Sequence, residues 1–302
     1  MPNFAGSFFI CLGLYCGVGV MFLSCGGSGD ADKESLLEDT DTVKTAVVNV
    51  AGELFSIPSP MQTAMLVQKS GVSYDKAVLS ASNKASSFST DYSRALNLGV
   101  YGADLGYVSL YNQTQDAIGF LAAIKQLSDK LGISAAFDAA TMDRITKNIT
   151  NKDSMMVLVG LAYRGSDAYL KNNKRNDISS LILAGGWIES MHFSISAYRV
   201  KPSNEMRYRI CEQKQALTSI VKILKTQENA ESQQLAASLE DLAKDYENIS
   251  FTYHFVEPTH DTLKKVTYIN STSEVVVTDE LLGKITKKLS AIRSKVVDQK
   301  AS

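Results

Sequence analysis

Two segments of the chain place acids, a histidine and tyrosines at helical spacing. Asn97, Tyr101, Asp104 and Tyr111 follow one another at steps of four, three and seven, so they share one helix face. Asp104 stands there among Leu98, Tyr101, Leu105 and Val108. A carboxylate in such company must be hydrogen-bonded or paired, because an isolated buried charge is very costly. In the second segment Glu189 and His192 are three residues apart. If the two helices face each other, Asp104, Glu189, His192 and a tyrosine form one polar cluster, so the candidate site is Asn97, Tyr101, Asp104, Glu189 and His192. The cluster has two readings: a buried network that fixes packing, or a site for a metal ion or polar ligand. Exposure of Asp104 and Glu189 would remove it.

Glu189-x-x-His192 is half of the ferritin-type di-metal pattern, in which two such pairs join two further carboxylates. The chain has three histidines, His192, His254 and His260, and the other formal match, Glu257-Pro258-Thr259-His260, contains a proline. No Gly-x-Ser-x-Gly nucleophile elbow, His-Glu-x-x-His zinc motif or phosphate-cradling loop occurs. Cys211 with a remote histidine is only a composition match. The motifs therefore imply no cofactor, no resident metal and no catalytic residue. Trp187, Tyr163, Tyr169 and Tyr198 read as packing residues, the tyrosines with a polar tip.

The elements that must position these side chains are mostly helical. Ala117, Phe120, Leu121, Ile124, Leu127 and Leu131 repeat at three- and four-residue steps before Gly132. Leu235, Leu239, Leu242 and Tyr246 form a second stripe, and Leu281, Leu282, Ile285, Leu289 and Ile292 a third, after the N-cap candidate Thr278. The third carries Lys284, Lys287, Lys288, Arg293 and Lys295, which read as a solvated face suited to a helix C-terminus. Around Tyr92–Tyr111 and Ile178–Tyr198 apolar residues occupy more than one face, the mark of interior helices. Gly99, Gly102 and Gly106 in the first and Gly185-Gly186 in the second would each cost up to about 1 kcal/mol against alanine. Close approach of the two helices would offset that cost. The folded part begins at Lys44 to Phe55, and Ser56-Ile57-Pro58-Ser59-Pro60 is a break. Phe251, Tyr253 and Phe255 alternate, and two β-prone runs flank Asn270-Ser271-Thr272, so residues 251–277 form a small hairpin excursion. The fold class is all-α: a multi-helix bundle with two buried central helices and a small β excursion near the C-terminus.

The N-terminus addresses location. Residues 1–29 carry no charged side chain, and a nearly continuous apolar run from Phe4 ends at Ser24-Cys25-Gly26-Gly27. Leu23-Ser24-Cys25 resembles a bacterial lipobox, which makes residues 1–24 a lipoprotein signal peptide and Cys25 the acylated residue. The alternative is an uncleaved membrane-spanning helix, since about 20 apolar residues can cross a bilayer. Residues 25–42 form a tether, glycine- and serine-rich and then acidic, with six acids against one lysine from Asp30 to Asp41. Residues 43–302 are a single helical domain in which Cys211 is the lone cysteine. Lys plus Arg is 31 and Asp plus Glu 32, so the basic surplus of a nucleic-acid binder is missing.

Ala95-Leu96-Asn97-Leu98-Gly99-Val100-Tyr101-Gly102-Ala103-Asp104-Leu105 and Leu183-Ala184-Gly185-Gly186-Trp187-Ile188-Glu189 resemble segments of uncharacterised lipoproteins from Bacteroidota. The resemblance covers about residues 45–250. It implies a helical envelope lipoprotein and carries over no activity or catalytic residues. The expected location is the cell envelope, lipid-anchored at the outer membrane, with the periplasmic and surface faces both open. The expected function is a lipid-anchored binding or scaffold module with an envelope protein as partner. The alternative is a metal- or small-ligand-binding bundle, or an enzyme, using Asp104, Glu189 and His192. A sealed cluster favours the first and a cavity open to water the second.

Overall fold

The computed structural model describes residues 45–50 and 53–298, with side chains from Ser59 onward. The signal segment, Cys25 and the tether lie outside the described residues. Two helices that are buried almost all round organise everything else. Helix α2 (Asp91–Leu110) starts in a capping box, in which Thr90 Oγ1 accepts the Ser93 amide and Ser93 Oγ accepts the Thr90 amide. Helix α6 (Asn176–Val200) is the longest, and its apolar residues face several directions rather than one. Their backbones touch. A Cβ added at Gly99 would lie 2.0 Å from the Ile182 carbonyl oxygen, and one at Gly185 would lie 2.0 Å from that of Leu96. Only glycine admits such an approach, which offsets its low helix propensity. Gly102 likewise makes room for the Tyr163 ring, whose hydroxyl donates to the Gly99 carbonyl at 3.1 Å.

The other helices wrap this pair. The chain enters through an antiparallel hairpin, β1 (Thr45–Val50) with β2 (Glu53–Pro58), followed by Ser59 as the N-cap of α1 (Pro60–Lys69) with proline in the first turn. The Ser56–Pro60 break is thus the end of a strand joined to a helix start. Helix α3 (Thr114–Lys130) buries Ala117, Phe120, Ile124 and Leu127, and Gly132 beyond it has φ +67°. Helices α4 (Ala139–Lys147), α5 (Lys152–Asn172), α7 (Asn204–Cys211) and α8 (Lys214–Lys225) follow, then α9 (Ala230–Tyr246) and α10 (Asp279–Val297). Leu235, Leu239, Leu242 and Tyr246 of α9 and Leu282, Ile285, Leu289 and Ile292 of α10 are buried, while Leu281 is only partly so. Trp187 is buried and its Nε1 donates to Gln213 Oε1 at 3.2 Å. Cys211 is buried and free, and burial raises its thiol pKa to about 11, so it stays protonated.

Between α9 and α10 lie β3 (Ser250–His254) paired with β6 (Thr272–Val276), and β4 (Thr259–Asp261) paired with β5 (Val266–Tyr268), all antiparallel. The fold is therefore an all-α bundle of ten described helices with this excursion near its C-terminus. Residues 39–302 form one compact unit holding every described helix and the hydrophobic core. Among the described residues no helix is long and apolar enough to cross a membrane.

The glycine contact yields a direct test. Gly185→Ala should cost about 3 kcal/mol or more in urea denaturation, because the clash is with backbone that cannot move aside. Gly283→Ala, whose added Cβ meets nothing within 4 Å, should stabilise by up to about 1 kcal/mol. Equal effects at the two sites would disprove the close crossing.

Candidate functional site

Asp104, near the middle of α2, and Glu189, near the middle of α6, meet across the helix pair, and both are 0% exposed. The cation that joins them comes from α10. Arg293 donates from Nε to Glu189 Oε2 and from Nη2 to Oε1, each at 2.6 Å, a bidentate fork. Nη2 also donates to the Val78 carbonyl at 3.1 Å. The Ser80 hydroxyl donates to Asp104 Oδ2, and His192 is hydrogen-bonded to the Val78 backbone. Three helices and the loop around residues 78–80 thus converge on one buried cluster.

Its electrostatics follow from counting charges. Two carboxyl groups face one guanidinium, so full ionisation would leave an uncompensated negative charge in the core. Burial first, and the charge of Glu189 second, hold the Asp104 pKa well above the ordinary carboxylate value, against the opposing pull of Ser80 and Arg293. Burial also raises Glu189, but the hydrogen bonds and charge of Arg293 draw it back. The consistent state is a neutral Asp104 beside an ionised Glu189 that pairs with Arg293. Asp104 Oδ1 is buried and has no hydrogen-bond partner. His192 is driven to about 3 by burial and then by the Arg293 charge, so its ring is neutral.

The remaining residues of the α2 face have a different task. Tyr101 Oη donates to the Ala81 carbonyl at 3.0 Å, and Tyr111 Oη to the Val72 carbonyl at 2.7 Å. Tyr107 Oη accepts the Asp75 amide at 3.3 Å. With Ser80 on Asp104, successive turns of α2 fasten residues 81, 80, 75 and 72 of the irregular segment between α1 and α2. Asn97 lies one turn before Tyr101 and donates to the carbonyls of Ser93 at 2.9 Å and Val296 at 3.0 Å, which ties α2 to the end of α10. Of the five residues expected to cluster, Asp104 and Glu189 meet directly and His192 borders them. Tyr101 Oη and Asn97 Nδ2 donate to backbone instead, and Asn97 Oδ1 is buried without a hydrogen-bond partner.

Arg293 corrects the expectation of a solvated basic face on α10. It is four residues after buried Leu289, so it shares the apolar side of that helix, and its side chain is 14% exposed. Lys284, Lys287 and Lys295 are exposed as expected, while Lys288 is half-buried; Lys284 and Lys288 reach the carboxylate of buried Asp245 at 2.6 and 2.8 Å. That four-residue step was the available signal for Arg293. Ser80 and Val78, in irregular backbone, offered none.

Two cavities lie elsewhere. One, of about 40 Å³, is lined almost wholly by carbon from residues such as Leu98, Leu105, Phe137 and Ile145. The other, of about 160 Å³, lies among Tyr92, Glu231, Ile292 and Lys295. Neither includes a member of the cluster. Among the described residues no group of three His, Cys, Asp or Glu side chains could hold a metal ion. No family model matches the chain, and no curated protein or solved structure matches it significantly.

Two outcomes are expected. Arg293→Ala should cost about 3–5 kcal/mol in denaturant unfolding, whereas Glu189→Leu combined with Arg293→Met should recover most of that loss. Asp104→Asn keeps the size and the donor of the protonated acid. Folded Asp104 holds its proton where unfolded Asp104 does not, so its stabilising contribution is complete below the ordinary carboxylate pKa and falls as pH rises, by about 1.4 kcal/mol per unit until the folded pKa is reached. Asp104→Asn should therefore gain on the wild type as pH rises from about 5 to about 8. His192 works the other way: its contribution is complete above about 6.5 and is lost as pH falls toward 3, but it cancels in the difference between the two proteins. A gain that shrinks with rising pH would mean that Asp104 is ionised in the fold.

Proposed function

We propose that this chain is a lipid-anchored cell-envelope protein, acylated at Cys25, whose helical domain serves as a binding or scaffold module. The observation that carries this reading is the closed state of the cluster. Glu189, one oxygen of Asp104 and His192 are bonded by an arginine, a serine and a backbone group of the same chain. The guanidinium already stands where a metal cation would be needed. Chemistry-bearing residues are thus consumed in holding α2, α6 and α10 together, and contact with partners falls to the outer surface. The Leu23-Ser24-Cys25-Gly26 sequence and the acidic tether to residue 42 support the anchor.

Metabolic labelling of the full-length chain with an alkyne palmitate in a bacterial host tests the anchor. Wild type should take up label and sediment with membranes, and Cys25→Ala should do neither. Label retained by Cys25→Ala would overturn lipidation at this position. Native mass spectrometry of residues 39–302 tests the module reading. The polypeptide mass alone is expected, and a stoichiometric extra mass removed by a chelator or by Asp104→Ala would favour a metal- or small-ligand-binding bundle instead.

A further inference from the structure

From Ser250 to Leu281 no residue is buried. The two strand pairs of this excursion are spliced into one ribbon. The Asn270 side chain donates to the Glu257 carbonyl at 2.9 Å, and the Ser271 hydroxyl accepts the Val256 amide and donates to its carbonyl, both at 3.1 Å. At about 3.3 Å per residue the arm reaches roughly 40 Å from Ser250 to the turn at Leu263. Its base is fixed to α7, where Arg207 donates to the Val277 carbonyl and pairs with Asp279 at 3.3 Å.

The ribbon is amphipathic. Phe251 opposes Val275 and Tyr253 opposes Ser273 on one face, and Thr252 opposes Glu274 and His254 opposes Thr272 on the other. Phe251 rests edge-on against Tyr208, with ring centroids 5.5 Å apart. Tyr253 and Phe255 continue outward uncovered, at 63% and 65% exposure. Farther out Tyr268 and Ile269 are exposed, and Leu263 in the terminal turn is 96% exposed, followed at once by Lys264 and Lys265. An isolated two-stranded hairpin is at best marginally stable in water, and apolar surface this continuous marks an interaction site.

Charge selects the occupant. Leu263, the most exposed apolar side chain among the described residues, sits beside two adjacent lysines, while aromatic rings line one face behind it. Leucine and aromatics in the acyl boundary with lysines among anionic headgroups is the arrangement that suits a lipid surface. The nearby acid, Asp261, is engaged in the turn: its Oδ1 accepts the Lys264 amide at 3.0 Å and its Oδ2 stands 3.6 Å from the Nζ of Lys264. Water and salt screen that exposed pair, and Lys265 beside it carries a second positive charge. A second copy packed tip to tip would set lysine against lysine. We propose that the ribbon is a membrane-docking arm that seats Leu263 and its aromatic face in the interface of an anionic bilayer. This deepens the envelope reading and rests on it for a bilayer within reach.

Residues 39–302 test the arm without the lipid-bearing cysteine. In co-sedimentation, this protein should bind vesicles of phosphatidylcholine mixed with phosphatidylglycerol and bind pure phosphatidylcholine more weakly. Leu263→Asp should weaken binding to both roughly tenfold or more. Lys264→Glu with Lys265→Glu should weaken binding to the anionic vesicles by about tenfold and leave the neutral ones unchanged. All variants should keep the wild-type melting temperature, because Leu263, Lys264 and Lys265 are exposed at the tip, away from the core. No sedimentation with anionic vesicles, or binding indifferent to the tip variants, overturns the proposal. So does a dimer in sedimentation velocity that Leu263→Asp dissolves, which would assign the ribbon to a second copy. Since Cys25 is absent from this protein, failure here leaves lipidation standing, and failed palmitate labelling leaves the vesicle result standing.

Discussion

Two carboxyl groups enter the core on facing helices, and one guanidinium meets them. That imbalance dictates the protonation state of Asp104, the ionisation of Glu189 and the burial of Arg293. It also makes α10 indispensable. Without the arginine, α2 and α6 would hold an unpaired charge between two carboxyl groups that are both fully buried. The C-terminal helix is therefore more than a cover for apolar surface. It supplies the counter-charge that lets the first two helices lie together, and the Asn97 bond to the Val296 carbonyl holds it in register.

A buried ion pair is weak evidence of stability, because desolvation consumes most of what attraction provides. Its more defensible contribution here is specificity. The segment between α1 and α2 contains only two short 3-10 turns, so its backbone groups lack helical partners. The polar stripe of α2 provides them one turn at a time, through Tyr101, Asp104, Tyr107 and Tyr111. An all-leucine face would pack as tightly and leave those carbonyls and amides unsatisfied. Val78 shows the economy of the arrangement, since one residue's backbone receives both the arginine of α10 and the histidine of α6.

Much of this was legible in the residues. Apolar side chains all round Tyr92–Tyr111 and Ile178–Tyr198 identified interior helices, and the glycines in them identified where backbones would touch. Asp104 could be expected to find a partner, because its neighbours at helical spacing are apolar. What the pattern concealed was the third component. Arg293 sits among lysines near a helix C-terminus, where cations are favourable in any case, and that sufficient local reason hid its tertiary one. The loop partners were hidden for another reason: irregular backbone has no periodicity, so nothing marks Val78 or Ser80 before the chain is folded. Tyr101 and Asn97 were placed on the correct face, but their polar tips reach backbone groups far along the chain, which side-chain spacing cannot reveal.

The division between interior and surface bears on where function can lie. Inside, Glu189 pairs with Arg293 and one oxygen of Asp104 accepts from Ser80. Outside, the ribbon between α9 and α10 inverts the usual order: Phe255 and Leu263 face solvent, while acids and an arginine lie in the core. Burying Leu263 in the bundle would gain on the order of 2 kcal/mol, yet the ribbon leaves it 96% exposed in its terminal turn. A chain that satisfies its polar groups indoors and holds its apolar ones out on a stalk is stable as a bundle and incomplete as a surface. The incompleteness is local to the arm, so whatever completes it can come and go without disturbing the helices that carry it.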